Sequence, residues 1–169
     1  MADLNITDES LLEGLESEVQ FVPRPGQIDF TNIKYAPVVN CLVVCNGKIL
    51  LVQRNQKMRY YPGYWNGLSG FLHDNMTVDE KARYELEDEA KIKKDDILKV
   101  TEGEVFEQIE KTYQKVWVVH PIRVDVKSER VTLDWEAQDH QWISPSDVLL
   151  YKTLTGFEKV VYNFFPKTA

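Results

Sequence analysis

The segment Gly70-Phe71-Leu72-His73-Asp74-Asn75-Met76-Thr77-Val78-Asp79-Glu80-Lys81-Ala82-Arg83-Tyr84-Glu85-Leu86-Glu87-Asp88-Glu89-Ala90-Lys91-Ile92 runs from a strand end through a polar loop into one amphipathic helix. Thr77-Val78-Asp79-Glu80 has capping-box spacing, with Thr77 as N-cap and Glu80 three residues on, so a helix is predicted over 78–91. On a wheel of about 100° per residue, Glu85 at the origin puts Asp88 near about 300° and Glu89 near about 40°. Ala82, Leu86 and Ala90 fill the arc from about 60° to 140°, the core-facing side. Three carboxylates therefore share one side and border the buried stripe. Like charges at i,i+3 and i,i+4 repel by about a few tenths of a kcal/mol in water, and by more where the local dielectric falls. Two readings follow from the spacing alone: a solvated acidic face, or hard oxygen ligands for a divalent cation such as Mg²⁺ or Mn²⁺.

Upstream, Pro37 to Cys45 is a β-type run and Ile49 to Val52 returns after Asn46-Gly47, the pair preferred in a type I′ hairpin turn. Both arms are nearly continuous in apolar residues, so both faces of the sheet are expected to be covered, as in a layered α/β or α+β domain. Residues 55–66 are a loop rich in aromatics and cations, and a short strand from Gly67 to Leu72 follows. Downstream, strands are predicted around 98–107, 112–126 and 140–143. A short helix starts at Ser144-Pro145-Ser146-Asp147, and a last helix spans about 155–165, with Phe157, Val160, Val161 and Phe164 at helical spacing. Residues 7–19 read as an acidic amphipathic helix, with Leu11, Leu12, Leu15 and Val19 on one side. Val22-Pro23-Arg24-Pro25-Gly26 reads as a loop. The expected organisation is an acidic N-terminal segment 1–26 and a domain 27–169.

The chain has 169 residues and a formal charge of −7. Asp3, Asp8, Glu9, Glu13, Glu16 and Glu18 stand in the first twenty residues without a Lys or Arg, so the remainder is close to neutral. No Lys/Arg cluster supplies the basic face of a general nucleic-acid binder. No run approaches the apolar length of a membrane span, and the start has no basic-then-apolar leader; a cytoplasmic protein is expected. Cys41 and Cys45, four apart on one strand, stand about 13 Å apart and cannot pair with each other. They read as buried free thiols, which suits a reducing compartment.

The stretch from Gly70 to Ile92 resembles the signature of the Nudix hydrolases, G-x5-E-x7-R-E-U-x-E-E-x-G-U with U aliphatic. Aligned on Gly70, Glu85, Leu86, Asp88, Glu89 and Ile92 stand at its E, U, E, E and U positions. Leu50-Leu51-Val52-Gln53-Arg54 looks like the strand that precedes the box, Pro62-Gly63-Tyr64-Trp65 like the approach to it, and Gln141-Trp142-Ile143-Ser144-Pro145 like a late segment. The resemblance covers about residues 35–165. Four positions depart: Met76 for the first Glu, Tyr84 for the Arg, Asp88 for a Glu and Lys91 for the last Gly. In the family the first Glu and the Arg brace the loop–helix unit, while the later acids hold metal. Arg83, one position early, is a candidate replacement brace.

The resemblance implies an α+β fold, an α/β/α sandwich with a mixed β-sheet between helices. It implies a hydrolase that cleaves a diphosphate linkage in a nucleoside-diphosphate-type substrate with Mg²⁺ or Mn²⁺ and an activated water. Glu85, Asp88 and Glu89 are the implied metal ligands, with Glu85 or Glu89 also acting on the water. Arg54 and Arg59 are candidates for the phosphates, Gly70 for the substrate loop, and Trp65 (with Tyr60, Tyr61 and Tyr64) for stacking on a flat group. A further acid from a distant loop is sought among Glu107, Glu110, Glu136 and Asp139. His73, His120 and His140 show no metal-ligand spacing. The expected partner is a small diphosphate compound, and family members are often homodimers. Two rivals remain open. Replacement of the bracing Glu and Arg by Met76 and Tyr84 suits a Nudix-fold binding or regulatory module with little turnover. The run from Tyr61 to Phe71 is also similar to the isopentenyl-diphosphate isomerase branch. That branch has Cys and His where this chain has Ser69 and Phe71, which removes the proton donor its chemistry needs.

Overall fold

The computed structural model describes residues 30–72 and 75–167. The acidic segment 1–26 with its expected helix, the start of the domain at 27, and His73 lie outside the described residues. Strands β1 (Tyr35–Cys45) and β2 (Lys48–Arg54) form the expected hairpin. Its turn holds Asn46 at φ 52° and Gly47 at φ 77°, both in the left-handed region that a type I′ turn requires. The two strands are registered together only beside the turn, at Val44–Ile49 and Cys45–Lys48. Farther along, β1 pairs with β4 (Leu68–Phe71), while β2 pairs with β3 (Trp65–Asn66) and, on its other side, with β8 (Ala137–Ile143). The sheet therefore splits between its first two strands.

On the other side of β1 runs β7 (Lys115–Val126), parallel to it from Tyr35–Val116 to Val44–Asp125. Strands β5 (Ile97–Glu102) and β6 (Phe106–Glu110) both pair antiparallel with β7. One parallel pairing among antiparallel ones makes the sheet mixed, as expected for the α+β fold. The long strand predicted over 98–107 is in fact these two strands. Between them Gly103 passes so close to the last helix that a Cβ there would lie 2.5 Å from Asn163 Oδ1, and Asn163 accepts from the Glu104 amide at 3.2 Å.

Among the described residues, two α-helices cover the two faces. Helix α1 (Val78–Ala90) starts at the predicted capping box: Glu80 N donates to Thr77 Oγ1 at 3.1 Å, and Thr77 N to Glu80 Oε1 at 2.9 Å. Its Ala82, Leu86 and Ala90 pack on Val39, Cys41 and Val43 of β1 and on Ile122 and Val124 of β7. Two alanines on that stripe let the helix approach the sheet closely. Alternate residues Leu42 and Val44 face the opposite layer, with Phe157, Val160 and Val161 of α2 (Phe157–Phe164). Cys41 and Cys45 are both buried free thiols in the α1 layer. Among the described residues, no helix is long and apolar enough to cross a membrane.

The aromatic loop before β3 is pinned by buried polar contacts. Tyr61 Oη donates to Glu110 Oε1 at 2.7 Å and accepts from Trp117 Nε1 at 2.8 Å, while Tyr61 N donates to Tyr113 Oη at 2.8 Å. Burial pushes the Glu110 carboxyl up, but hydrogen bonds from Tyr61, Thr155 and Thr112 outweigh it and hold Glu110 below the usual carboxylate range. A carboxyl lowered in the fold adds stability that is full above its unfolded pKa of about 4.3 and is lost as pH falls through the folded value. We expect Tyr61→Phe to cost about 1–3 kcal/mol at neutral pH, because Glu110 and Trp117 lose a buried partner. The difference from wild type should narrow as pH falls below about 4. Urea midpoints measured over a pH series check both parts.

Candidate active site

A cleft of about 690 Å³ opens at the split in the sheet, with walls from both sides of the split: Val38 and Asn40 of β1, Arg54 of β2, Asn66 of β3, and Ser69 to Phe71 of β4. One wall is the acidic side of α1. Glu85 is 6% exposed, and its carboxylate lies directly over Gly70; a Cβ on Gly70 would stand 2.7 Å from Glu85 Cδ. The absent side chain of Gly70 is what allows a buried acid there. Glu89, one turn later, also faces the cleft, whereas Asp88 lines its rim and is exposed to solvent.

A third acid arrives from outside the helix. The segment before β8 docks on the C-terminal end of α1: Thr132 N donates to Ala90 O at 3.0 Å and Asp134 N to Glu89 O at 3.2 Å, which satisfies carbonyls that a helix end leaves open. Asn55 then holds the far side, through its amide to Glu136 O at 2.8 Å and its side chain to Trp135 O at 3.0 Å. Glu136 is thereby delivered to the cleft beside Glu89, where the charges of Glu136 and Glu85 both act on the Glu89 carboxyl. Of the four distant acids considered from sequence, Glu136 is the one that reaches this group. Glu110 is committed to Tyr61, and Glu107 and Asp139 are exposed on β6 and β8.

Crowding these carboxyls shifts them together. Burial pushes Glu89 well above the usual range, and the charges of Glu85 and Glu136 push it the same way. Burial also raises Glu85 and Glu136. Two cations counter the acids. Lys81, 2% exposed, places Nζ 3.1 Å from Glu85 Oε2 and 5.0 Å from the centre of the Tyr84 ring. Arg54 feels the charges of Glu136 and Glu89, while its Nε donates to Tyr60 O at 2.8 Å. Cys41, beneath Glu85 and Glu89, is pushed up by burial and by both acids, so it stays a thiol.

The opposite end of the cleft is apolar and aromatic, with Tyr60, Phe71, Phe106, Trp117 and Phe157 in its walls. Tyr60 meets Trp117 edge to face at 5.4 Å and Phe71 at 6.5 Å. Arg59 lines the cleft, donates to Thr31 Oγ1 at 3.0 Å and lies 5.1 Å over the Tyr60 ring. Trp65 is not a wall of the cleft; it packs edge-on against Tyr151 at 5.3 Å. Arg83, the candidate brace, is on the outer side of α1 and pairs with Asp79 at 2.6 Å. The cation that reaches Glu85 is Lys81, which the sequence reading passed over although it falls near about 320° on the same wheel.

Among the described residues, no three His, Cys, Asp or Glu side chains already stand in a metal-ligating arrangement. The donor set is nevertheless right for a hard dication. The oxygens are carboxylates converging on a cleft, and a dication would offset the burial and like charge that raise their pKa values.

A profile of the NUDIX domain matches residues 34–165. The chain belongs to the Nudix hydrolase family. Its mixed sheet resembles several solved Nudix structures. An Ap4A hydrolase binary complex from C. elegans is 17% identical, with TM-score 0.64, over 77% of this chain and 95% of that one. A MutT Nudix hydrolase from Burkholderia pseudomallei is 18% identical, with TM-score 0.64, over 78% and 98%. The Nudix domain of Shewanella oneidensis NrtR, complexed with ADP ribose, is 13% identical, with TM-score 0.64, over 88% and 94%. At these identities the likeness concerns the fold. No curated protein sequence matches the chain.

Within the Nudix frame, Lys91 closes α1 at φ 58°, the left-handed conformation that explains a glycine at the corresponding position of the family signature. Tyr84, at the Arg position, lies beneath the Lys81 ammonium. Gly70→Ala should leave the fold intact but force Glu85 off its seat. We expect Mn²⁺ binding at the acids to weaken about 10- to 100-fold, measured by calorimetric titration alongside circular dichroism.

Proposed function

We propose that the chain is a Mg²⁺- or Mn²⁺-dependent hydrolase that cleaves a diphosphate linkage in a nucleoside-diphosphate-type substrate with water. The observation that carries this reading is the convergence of Glu85, Glu89 and Glu136 beside Arg54 in one cleft whose far end is aromatic. Glu85, Glu89 and Glu136 hold the ion in this reading, with Asp88 at the rim as a further oxygen donor. The ion supplies Lewis acidity toward the phosphate oxygens. Arg54 pairs with a phosphate: its Nε is fixed on the Tyr60 carbonyl, which leaves the rest of the guanidinium fork for an anion. Glu89, or Glu85 beside it, takes the proton from the attacking water, both acids lining the same cleft. Water oxygen bonds to phosphorus, the bridging oxygen leaves with the other phosphate, and the two phosphoryl products separate. Tyr60, Phe71 and Trp117 receive the non-phosphate part of the substrate. The small compound is the partner; the domain boundary near residue 27, cytoplasmic residence and a homodimer are carried with this proposal.

A binding module with little turnover is the second reading, favoured by Met76 and Tyr84 at two box positions and by an ammonium already seated on Glu85. A panel of nucleotide sugars, dinucleotides, coenzymes and nucleoside triphosphates with Mg²⁺ or Mn²⁺ separates the two. We expect cleavage of at least one diphosphate compound, and a loss of about 10²-fold or more in kcat for Glu89→Gln. Tight binding with no product across the panel would establish the module instead, and full activity in Glu89→Gln would remove α1 from the chemistry.

A further inference from the structure

Lys81 is a buried lysine in an unusual place. An ammonium with 2% of its residue exposed is tolerable only when paired, because transfer of an unpaired charge out of water is prohibitive. Glu85, one of the acids of the proposed metal site, lies 3.1 Å from its ammonium. The same oxygen, Glu85 Oε2, is pressed on its other side against the bare Cα of Gly70, so the ammonium and the glycine together fix where that carboxylate points. Arg54 lines the same cleft and feels the charges of Glu136 and Glu89. The acids thus share their cleft with two positive charges from the protein itself.

We propose that Lys81 is a resident counter-ion of the metal site: its ammonium holds one cation position on Glu85 and limits both the number and the affinity of divalent ions that the acids accept. The inference rests on the metal-dependent reading above. A dication arriving at Glu89 and Glu136 is attracted by the acids and repelled by an ammonium lying against Glu85 in the same cleft. At these separations and low local dielectric, that repulsion is of the same order as the attraction to a single carboxylate. A second ion sharing Glu85 would have to displace the ammonium from Glu85 Oε2. The protein therefore takes a single dication where an acid cluster without Lys81 would take more, and it takes it weakly until an anionic diphosphate adds negative charge. Lys81 is a positioning residue in this account, acting on the ion through Glu85.

The test is calorimetric titration of the full chain with Mn²⁺, with free Mn²⁺ followed by its electron paramagnetic resonance signal. Wild type is expected to hold one Mn²⁺ per chain at the site. Lys81→Met, which keeps the length and apolar stem but not the charge, should bind Mn²⁺ about tenfold or more tightly, or hold a second ion. Lys81→Arg, which keeps the charge, should bind as wild type does. Lys81→Gln gives the same comparison if the Met variant does not fold. Two or more tightly held ions in wild type, or neutral variants that are folded and bind Mn²⁺ no better than wild type, would overturn the assignment and leave the metal-dependent reading standing. No Mn²⁺ uptake by any form, with or without a non-hydrolysable diphosphate, would overturn both.

Discussion

The arrangement depends on one unfavourable juxtaposition: carboxylates of α1 held at the edge of a core, close enough that each feels the other's charge. Isolated in water, Glu85, Glu89 and Glu136 would stay apart. The packing of Ala82, Leu86 and Ala90 on β1 and β7 removes that freedom, because the hydrophobic stripe and the acidic side belong to the same helix and cannot be turned separately. Burial of the stripe is worth many times the repulsion between neighbouring acids, so the fold wins and the acids are left strained together. Much of the local sequence then reads as accommodation of that strain. Gly70 makes room for Glu85, Lys81 neutralises it, and Arg54 faces the other two.

The split sheet is the second half of the design. A hairpin paired along its whole length would close the space where the cleft lies. Here Asn46-Gly47 starts a hairpin whose arms diverge after their first rungs, and β3 and β4 pair with one arm each. Asn40 and Asn66 bridge the two sides at 2.9 Å and Ser69 extends the chain at 3.1 Å, so the opening is spanned by buried polar side chains instead of backbone rungs. The cleft consequently reaches from the acids of the α1 layer to the aromatic residues of the α2 layer, joining a charged end and a flat apolar end in one volume. A compound with a diphosphate at one end and a planar group at the other suits that division of chemistry.

The local parts of this were legible in the sequence. The capping box at Thr77, the hairpin turn at Asn46-Gly47 and the core stripe of α1 follow from spacing within a few residues, and each lies where spacing puts it. Boundaries that depend on tertiary contact were not legible: nothing local to Gly103 shows that Asn163 docks there and breaks the strand. The site divides the same way. The shared side of Glu85, Asp88 and Glu89 was legible because a helix maps spacing onto a face. Glu136 could be placed only among four acids, since its position depends on a loop capping the end of α1 and on Asn55 from another strand end. Trp65 looked like a stacking residue because it is aromatic and near a loop, yet the side of β3 it occupies faces Tyr151.

Lys81 shows how a departure from a family signature can mislead when it is read position by position. With Tyr84 at the Arg position, the natural search is for a cation beside it in sequence, which suggests Arg83. On a helix the neighbour in space is three or four residues away, not one, and residue 83 points to the outer side where Asp79 takes it. Residue 81 is one turn before Glu85, on the same side and beneath the acids, so a lysine there reaches the carboxylate while Tyr84 supplies a ring for its ammonium to lie over. The charge that the signature places at one position has moved back along the helix and into the core edge. That move changes more than bracing. The ammonium lies on Glu85 Oε2, an oxygen of one of the candidate site's acids, so the presence of the acids alone does not fix how this chain uses them.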